Sequence, residues 1–311
     1  MSAPSRHLLQ IRGMRPDAIR RLLASARDSS ALMGDELRGT TVANLFFEDS
    51  TRTRVSFTIA AQRLGAGVVD LGAKGSSVSK GESLTDTART IEAMGVGALV
   101  VRCAQSGGAR LIADAVSCAV INAGDGRHEH PTQALTDALT LAQATGRESD
   151  FDFTGLRVGI VGDIAASRVA RSNIACLGAL GAEVVCCGPP AMAPASLESL
   201  GCAVTREMDG LVERVDALMA LRIQFERSSS IGSPREYRDR YGLTRARARA
   251  MRPGAWVMHP GPMNRGLEID AEVADSDRSL VLRQVANGPR VRAAALLACV
   301  SACRESCTSA S

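Results

Sequence analysis

The sequence predicts an α/β fold with two domains, each a mainly parallel sheet flanked by helices. Apolar runs of strand length alternate with amphipathic helical stretches along the whole chain, which is the pattern of parallel α/β layers. The chain has 311 residues, 45% of them hydrophobic, and this length favours two domains of ordinary size over one. An acidic, polar stretch at residues 146–155 separates two series of elements and is predicted to be a linker.

The first series begins with four predicted strands, at residues 41–47, 67–71, 98–103 and 119–123. Helices are predicted at residues 51–64 and 83–94. Gly65 and Gly95 follow these helices, at the position where a left-handed C-cap is expected. A further helix is predicted to begin after Pro131 and to run through Gln143.

The second series supplies another sheet, with strands predicted at residues 157–162, 183–187, 216–223 and 255–258. An apolar helix at about 291–303 closes the chain, and no strand is predicted after it. The arginine-rich run at 244–252 is interpreted as a solvated helix face without a ligand.

Composition argues against several classes of protein. The formal net charge is only +4 and aromatic residues make up 3%, so we expect no nucleic-acid binding. No run of eighteen apolar residues and no apolar signal sequence occur, which favours a soluble, cytoplasmic protein without membrane contact. Gly162-Asp163 follows an apolar strand, but the full G-x-G-x-x-G spacing is absent, so a nicotinamide cofactor is not expected.

Nine cysteines, an odd number without a C-x-x-C pair, indicate thiols in a reducing compartment. Cys299, Cys303 and Cys307 recur at helical spacing. Two interpretations are open for them: small apolar residues on one helix face, or a metal or redox group. The first is favoured, because no histidine is nearby in the sequence.

The segment at residues 46–57 carries the strongest chemical signal. A predicted strand ends there, a helix begins, and residues 50–54 supply three hydroxyls and two arginines. Backbone N–H groups and the helix dipole make such a junction an anion site, and guanidinium groups suit phosphate. A capped helix start with solvated arginines is the alternative. Three hydroxyls and two arginines exceed what a cap needs, so phosphate binding is favoured.

The STRTR sequence in this segment resembles the phosphate-binding motif of the aspartate and ornithine carbamoyltransferases. Four further segments resemble the same family in the same order: residues 76–83, 124–133, 162–172 and 258–268. After His259 the chain has Pro260-Gly261-Pro262 where the ornithine enzymes carry Cys-Leu-Pro. The resemblance therefore implies carbamoyl transfer to L-aspartate, the committed step toward pyrimidines.

The resemblance also implies site residues. Carbamoyl phosphate is expected to be bound by a polar set: Ser50, Thr51, Arg52, Thr53, Ser76, Arg102, His130 and Gln133. Catalytic roles are implied for four members of that set, Arg52, Thr53, Arg102 and His130, and also for Lys80. Aspartate is expected to be bound by Lys80, Arg168, Arg222, Gln224, Gly261 and Pro262. His128 and His259 are interpreted as supporting structure.

The implied domains are 1–133 with 288–311 for carbamoyl phosphate, and 134–287 for aspartate, with the C-terminal helix returning to the first domain. The substrates are expected to meet between the domains. Ser76 and Lys80 are expected to enter a neighbouring subunit's site, which implies a homotrimer with shared active sites. No metal or organic cofactor is expected, and a regulatory chain or a dihydroorotase would be a further partner.

Two departures and two alternatives accompany this resemblance. Ala166 stands where many relatives carry histidine, and Asp49 adds a negative charge beside the anion site, although that charge also suits a helix start. The alternatives are a carbamoyltransferase for another amino acid and a catalytically silent homologue that serves as an assembly partner. The second is disfavoured because the STRT motif, Lys80, Arg102 and His130 are all present.

Overall fold

The computed structural model describes residues 5–28, 34–72, 82–223 and 233–308. The chain divides into two compact units. One consists of Met1–Leu135 together with Asn287–Ser311, and the other is Thr136–Ala286. The second unit is therefore inserted into the sequence of the first.

A parallel sheet organises the first unit. Within the described residues its strands are β1 (His7–Leu8), β2 (Thr41–Phe46), β3 (Gly67–Gly72), β4 (Ala98–Cys103) and β5 (Ala119–Asp125). Their order is β1-β5-β4-β2-β3, and every neighbouring pair is parallel. The helices that accompany them are α1 (Pro16–Arg27), α2 (Thr51–Arg63), α3 (Leu84–Ala93), α4 (Gly108–Ala115) and α5 (Pro131–Thr145).

Burial explains why these runs form interior strands. All of β5 is buried, and in β4 every residue except Arg102 is buried. A continuous apolar run is typical of a parallel strand that is covered on both faces. Gly65 and Gly95 adopt φ values of 75° and 89°, so the predicted left-handed ends of the first two predicted helices are confirmed.

The strand order defines where a ligand crevice is expected in this sheet. The chain places β3 on one side of β2 and β4 on the other, so its winding reverses at β2. In open parallel sheets, ligands bind outside the carboxyl ends of the strands at such a reversal. Residues 47–50, after β2, and residues 104–107, after β4, border this first switch point.

The second unit repeats this plan. Within the described residues its strands are β6 (Arg157–Val161), β7 (Glu183–Cys187), β8 (Ala203–Thr205), β9 (Ala217–Ala220) and β10 (Trp256–Met258). Their order is β10-β9-β6-β7-β8, again all parallel. The winding reverses at β6, which puts a second switch point at the carboxyl ends of β6 and β9. Its helices are α6 (Arg168–Ala179), a 3-10 helix (Ala195–Leu200), α7 (Met208–Val212), α8 (Pro234–Tyr241), α9 (Arg245–Ala250) and α10 (Ala271–Ala274).

The arginine-rich run behaves partly as expected. No residue of α9 is fully buried, which fits a solvated face. Arg247, however, keeps only 12% of its side chain exposed, and its Nε lies 2.6 Å from the carboxylate of Asp209. Its Nη1 also donates to the carbonyl of Gly242 at 2.8 Å. Arg247 therefore connects α9 to α7 through an ion pair.

The last helix, α11 (Val281–Thr308), is longer than predicted because it continues through Pro289. Its later residues pack on the first unit. The Arg292 guanidinium donates to the hydroxyl of Ser56 at 2.8 Å and lies 5.3 Å from the centre of the Phe57 ring. The predicted fold class is thus confirmed, including the return of the C-terminal helix. Among the described residues, no helix is both long and apolar enough to span a membrane.

Candidate active site

A cavity of about 220 Å³ opens at the carboxyl end of β2, beside the first switch point. Its lining comes from the ends of β2 and β3, the turn after β2 and the first turns of α2: Phe46, Glu48, Asp49, Ser50, Thr51, Arg54 and Gly72. Most of this lining belongs to the contiguous motif that predicted an anion site. The structure therefore places that motif where the sheet topology favours a ligand.

The start of α2 provides donors to this cavity. Ser50 is the N-cap residue, yet its side chain makes no capping hydrogen bond to the helix. The first N–H groups of a helix have no acceptor within the helix, and the helix dipole adds positive potential there. The hydroxyls of Ser50 and Thr51 stand beside these groups. This arrangement favours a small anion with several oxygens, such as phosphate.

The two arginines of the motif have different environments. Arg54 lines the cavity and is half-buried, whereas Arg52 is exposed and is not among the described lining residues. Helix geometry explains the difference, because Thr51 and Arg54 are three residues apart and share a face. Thr53 is turned inward and keeps 8% exposure. Sequence reasoning gave Arg54 no individual role, although its spacing from Thr51 was a usable signal.

Two carboxylates also border the cavity, those of Glu48 and Asp49. The Glu48 carboxylate lies 3.9 Å from Nε of Arg102, and these side chains are 28% and 15% exposed. Arg102 Nη1 donates to the carbonyl of Ala123 at 3.1 Å. Arg102 is thereby held at the edge of the sheet where β4 ends, next to the motif that follows β2.

Asp125 organises the loop that leads from β5 to His130. Its carboxylate accepts from Nδ2 of Asn122 at 2.8 Å, from the Gly107 N–H at 2.8 Å and from the Glu129 N–H at 3.1 Å. Nδ1 of His128 lies 3.0 Å from the same carboxylate. His128 is therefore a supporting residue, and Asp125 is a positioning residue that sequence reasoning did not single out.

His130 directly precedes α5, and Gln133 lies on its first turn. The His130 carbonyl accepts from the Gln133 N–H at 3.0 Å, which starts the helix. The His130 side chain is buried, with 4% exposure, and Gln133 is half-buried. Both residues thus follow the loop after β5 and lie at the same end of the sheet as Arg102.

In the second unit, two predicted arginines flank the second switch point. Arg168 is the first residue of α6 and is half-buried; the preceding Ser167 caps the helix by accepting from the Ala170 N–H at 3.1 Å. Arg222 is exposed and follows β9 closely, where the Leu221 N–H donates to the Val161 carbonyl at 2.8 Å. The guanidinium of Arg222 is accordingly accessible to a ligand at the carboxyl end of β9.

The third predicted acceptor segment contains Gly261 and Pro262, which are joined by a cis peptide bond. Gly261 is half-buried and Pro262 is exposed. His259 is fully buried just before them, and its Nδ1 accepts from the Gly261 N–H at 2.8 Å. His259 therefore supports this turn. The other predicted residues, Ser76, Lys80 and Gln224, lie outside the described residues.

Family models match both halves of the chain. Residues 6–143 match the carbamoyl-P binding domain of aspartate/ornithine carbamoyltransferase, and residues 154–299 match the Asp/Orn binding domain of the same family. Together these matches cover most of the chain.

Individual proteins agree with the family models. The chain is 53% identical over 305 residues to the aspartate carbamoyltransferase catalytic subunit of Myxococcus xanthus, covering 95% of this chain and 100% of that protein. The solved catalytic subunit of M. jannaschii aspartate transcarbamoylase has a TM-score of 0.82 and 31% identity, covering 95% of this chain and 98% of that one. Aspartate transcarbamoylase from Trypanosoma cruzi, in complex with carbamoyl phosphate and aspartate, has a TM-score of 0.82 and 28% identity, covering 96% and 95%. The resemblance found in the sequence motifs is confirmed, and the chain belongs to the aspartate/ornithine carbamoyltransferase family.

Proposed function

We propose that this chain transfers the carbamoyl group of carbamoyl phosphate to the amino group of L-aspartate, with N-carbamoyl-L-aspartate and phosphate as products. The observation that supports this proposal is the cavity beside the first switch point, whose lining includes Ser50, Thr51 and Arg54 at the start of α2. The family of the chain and the substrates bound by its T. cruzi relative support the same reaction.

The first unit is the proposed donor site. Phosphate oxygens accept hydrogen bonds from the start of α2 and from the hydroxyls of Ser50, Thr51 and Thr53. Arg52 and Arg54 add charge, and Ser76 belongs to the same proposed set. Gln133 is proposed to bind the carbamoyl amide, since its half-buried side chain lies on the first turn of α5.

The chemistry requires stabilised charge more than a covalent nucleophile. When the neutral amine of aspartate attacks the carbamoyl carbon, the carbonyl oxygen gains negative charge. The C–O bond to phosphate then breaks, and the amine proton passes to the departing phosphate. Preorganised donors aimed at that oxygen lower the barrier. Arg102, His130 and Thr53 are the donors proposed for this role. Holding both substrates in place supplies the rest of the catalysis.

The second unit is the proposed acceptor site. A dicarboxylate amino acid calls for guanidinium groups, because each binds a carboxylate with two parallel hydrogen bonds. Arg168 and Arg222 are proposed for this role, at the starts of α6 and of the segment after β9. Gly261 and Pro262 supply a turn against the substrate, and Lys80 and Gln224 complete the proposed set.

The proposed assembly is a homotrimer with shared sites. β3 is an edge strand within the described sheet, and most of its residues are exposed or half-exposed, with Val69 at 44%. Val55 of α2 is also 48% exposed. An apolar sheet edge of this kind is normally covered in a stable protein. Light scattering on the purified protein should give the mass of three chains, and a larger co-purifying complex would identify a regulatory chain or a dihydroorotase.

Mixing two inactive variants tests the shared sites. Lys80→Ala and Arg102→Ala should each have little activity alone. After dissociation and random reassembly, roughly a quarter of the sites in a cyclic trimer would combine an intact Lys80 with an intact Arg102 from its neighbour. Activity near that fraction of wild type is expected. Mixtures as inactive as their components would rule out shared sites.

The proposed compartment is the cytoplasm, where thiols stay reduced.

The reaction itself is tested by incubating purified protein with carbamoyl phosphate and either L-aspartate or L-ornithine. Formation of N-carbamoyl-L-aspartate and phosphate in equal amounts, with no product from ornithine, is expected. Product from ornithine alone would assign a different acceptor. Failure with both amino acids, in a folded trimer, would favour the silent assembly partner.

A further inference from the structure

One buried polar network in the second unit links the three segments assigned to the acceptor. We call it the acceptor network, and its members are Asp137, Asn173, His259, Asn264, Glu268 and Gln284. All of them are buried except Asn264, which is half-buried. Hydrogen bonds join members that are up to 147 residues apart in the sequence. The connection is therefore a property of the folded unit.

The outer part of the network is centred on Asp137 of α5. Its Oδ2 accepts from Nδ2 of Asn173 at 2.8 Å, and Asn173 lies on α6, the helix that begins with Arg168. Its Oδ1 accepts from Nε2 of Gln284 at 2.8 Å. Oε1 of Gln284 in turn accepts from the His259 N–H at 3.0 Å. A single carboxylate thus anchors the Arg168 helix and the His259 turn.

The inner part of the network fixes the turn itself. Nδ1 of His259 accepts from the Gly261 N–H at 2.8 Å, so a neutral ring carries its proton on Nε2. That nitrogen lies 3.2 Å from Oε1 of Glu268, to which it donates. Glu268 therefore sets the ring orientation that holds Gly261, as a carboxylate does for many functional histidines.

Asn264 extends the network to the third segment. Its backbone N–H donates to Oε1 of Glu268, and its Nδ2 donates to the carbonyl of Ile223 at 2.9 Å. Ile223 directly follows Arg222. The Arg168, Arg222 and Gly261 segments are accordingly tied to one continuous set of hydrogen bonds.

We propose that Glu268 and Asn264 are positioning residues that hold the Gly261 turn and the Arg222 segment at the spacing required for the acceptor. This inference rests on the proposed function, because the acceptor is L-aspartate only if that reaction is correct. Neither residue needs to contact the substrate. Each acts through the backbone or side chain that it holds.

Stability alone is a weak reason for such a network. Buried charged and polar groups cost desolvation energy, and well-packed apolar residues of similar volume often stabilise a core as well or better. Gly261 gives a specific reason for a geometric role. It has a φ of 66°, in the left-handed region, and glycine is the residue with the most conformational freedom. A substrate-binding turn at this position needs an external hydrogen bond to stay in one conformation.

Steady-state kinetics of Glu268→Ala, Glu268→Gln and Asn264→Ala test the proposal. Glu268→Ala removes the buried carboxylate that orients His259. Such a loss changes a binding equilibrium by roughly 10- to 100-fold, so the KM for aspartate should rise by that factor. The KM for carbamoyl phosphate should stay unchanged. Glu268→Gln keeps an acceptor oxygen and should recover most of the aspartate affinity. Asn264→Ala, a half-buried change that the fold should tolerate, should raise the aspartate KM several-fold even if Glu268→Ala fails to fold.

Asp216→Ala is the matched control. Asp216 is also a carboxylate of the second unit, and it accepts from the Arg157 N–H at 2.8 Å and pairs with Arg252 at 3.0 Å. It lies at the amino end of β9, away from the acceptor segments. Its loss should lower thermal stability and leave the aspartate KM unchanged.

The outcomes distinguish a failure of the positioning role from a failure of the proposed function. If Asn264→Ala and the folded Glu268 variants lose stability as Asp216→Ala does but keep a wild-type aspartate KM, the network is only structural and the positioning role is wrong. If the wild-type chain itself forms no N-carbamoyl-L-aspartate, the proposed function fails and this inference falls with it.

Discussion

The two switch points share a topology but are built differently. In each sheet the winding reverses at a central strand, β2 in one and β6 in the other, and the carboxyl ends of two strands border the reversal. At the first, a four-residue turn leads straight into α2 and donors come from adjacent residues. At the second, the assigned residues come from three separate segments and a buried network holds those segments together.

The difference follows from what each site is proposed to bind. A phosphate group is compact and symmetric, so one helix start with neighbouring hydroxyls can surround it. An amino acid with two carboxylates presents separated charges, and groups from distant positions must be held at fixed spacing. The phosphate-binding part of the first site is therefore a local motif, which Arg102, His130 and Gln133 are proposed to complete from other elements of the first unit. The second site depends on tertiary structure throughout.

The strongest test of this contrast removes Arg102 from the first switch point. Arg102→Ala should lower kcat/KM about 100- to 1,000-fold, because a preorganised donor to the developing oxyanion is lost. Initial rates of N-carbamoyl-L-aspartate formation measure it. Arg110→Ala is the control, since Arg110 lies on α4 with 57% of its side chain exposed and should be neutral. An equal loss in both variants would mean that total charge, and not position, matters.

A smaller effect is expected from Arg222 at the second switch point. Arg222→Ala should raise the KM for aspartate roughly 10- to 100-fold, which is the cost of losing a charge-assisted pair. The KM for carbamoyl phosphate should stay constant. Arg252→Ala, at an exposed position near the amino end of β9, provides the comparison. A parallel rise in both KM values for Arg222→Ala would break the assignment of one substrate to each switch point.

The backbone at the second switch point is closely packed. Gly162 directly follows β6 and has a φ of 132°, and an added Cβ would lie 3.0 Å from Cβ of Leu221. Gly162→Ala should therefore destabilise the second unit by about 1–3 kcal/mol. Gly178→Ala in the same unit meets nothing within 4 Å and should be neutral or stabilise by about 0.5 kcal/mol. Urea unfolding of both variants measures the difference, and equal stabilities would contradict the crowding argument.

The smallest effect concerns pH and the edge of the first sheet. Burial, followed by the charge of Arg6, lowers the pKa of His7 from 6.5 to about 4. The unfolded state therefore binds a proton at His7 at a higher pH than the folded state does. The contribution of His7 to the free energy of unfolding should be fully present above pH 6.5 and should decline as the pH falls toward 4. His7→Gln should weaken this decline, as measured by urea midpoints at pH 7 and pH 5. An identical pH dependence in the variant would assign the decline to other groups.

Much of the fold could be predicted because its strands are continuous apolar runs. β4 and β7 have the predicted bounds, and β2, β3 and β6 each differ from their own predicted bounds by one residue. β1 and β8 were missed, since two or three residues leave no pattern to detect. α11 begins ten residues before its predicted start, and the part that was not predicted runs through Gly288 and Pro289. Gly288 lacks the Cβ that would clash with the proline ring, which helps the helix continue.

The candidate sites divide in the same way. The motif at 46–57 and the strand ends indicated the donor site from local sequence alone. The position of Arg54 in the cavity lining needed the helix face, and the proposed role of Glu268 needed its contact with His259. Asp137 and Gln284 are 147 residues apart, so no sequence spacing signals their hydrogen bond.

The insertion of the second unit has an evolutionary consequence. The chain leaves the first unit along α5 and returns along α11, where the Cys303 thiol lies 3.9 Å from the carbonyl of Arg6. The first unit is thus built from two separated stretches of the sequence that contact each other, whereas one continuous stretch supplies the second unit, as an inserted module would. In such a chain the inserted module can diverge toward new amino acids while the donor chemistry is inherited unchanged. Exchange of residues 136–286 between relatives is the corresponding route for engineering acceptor choice.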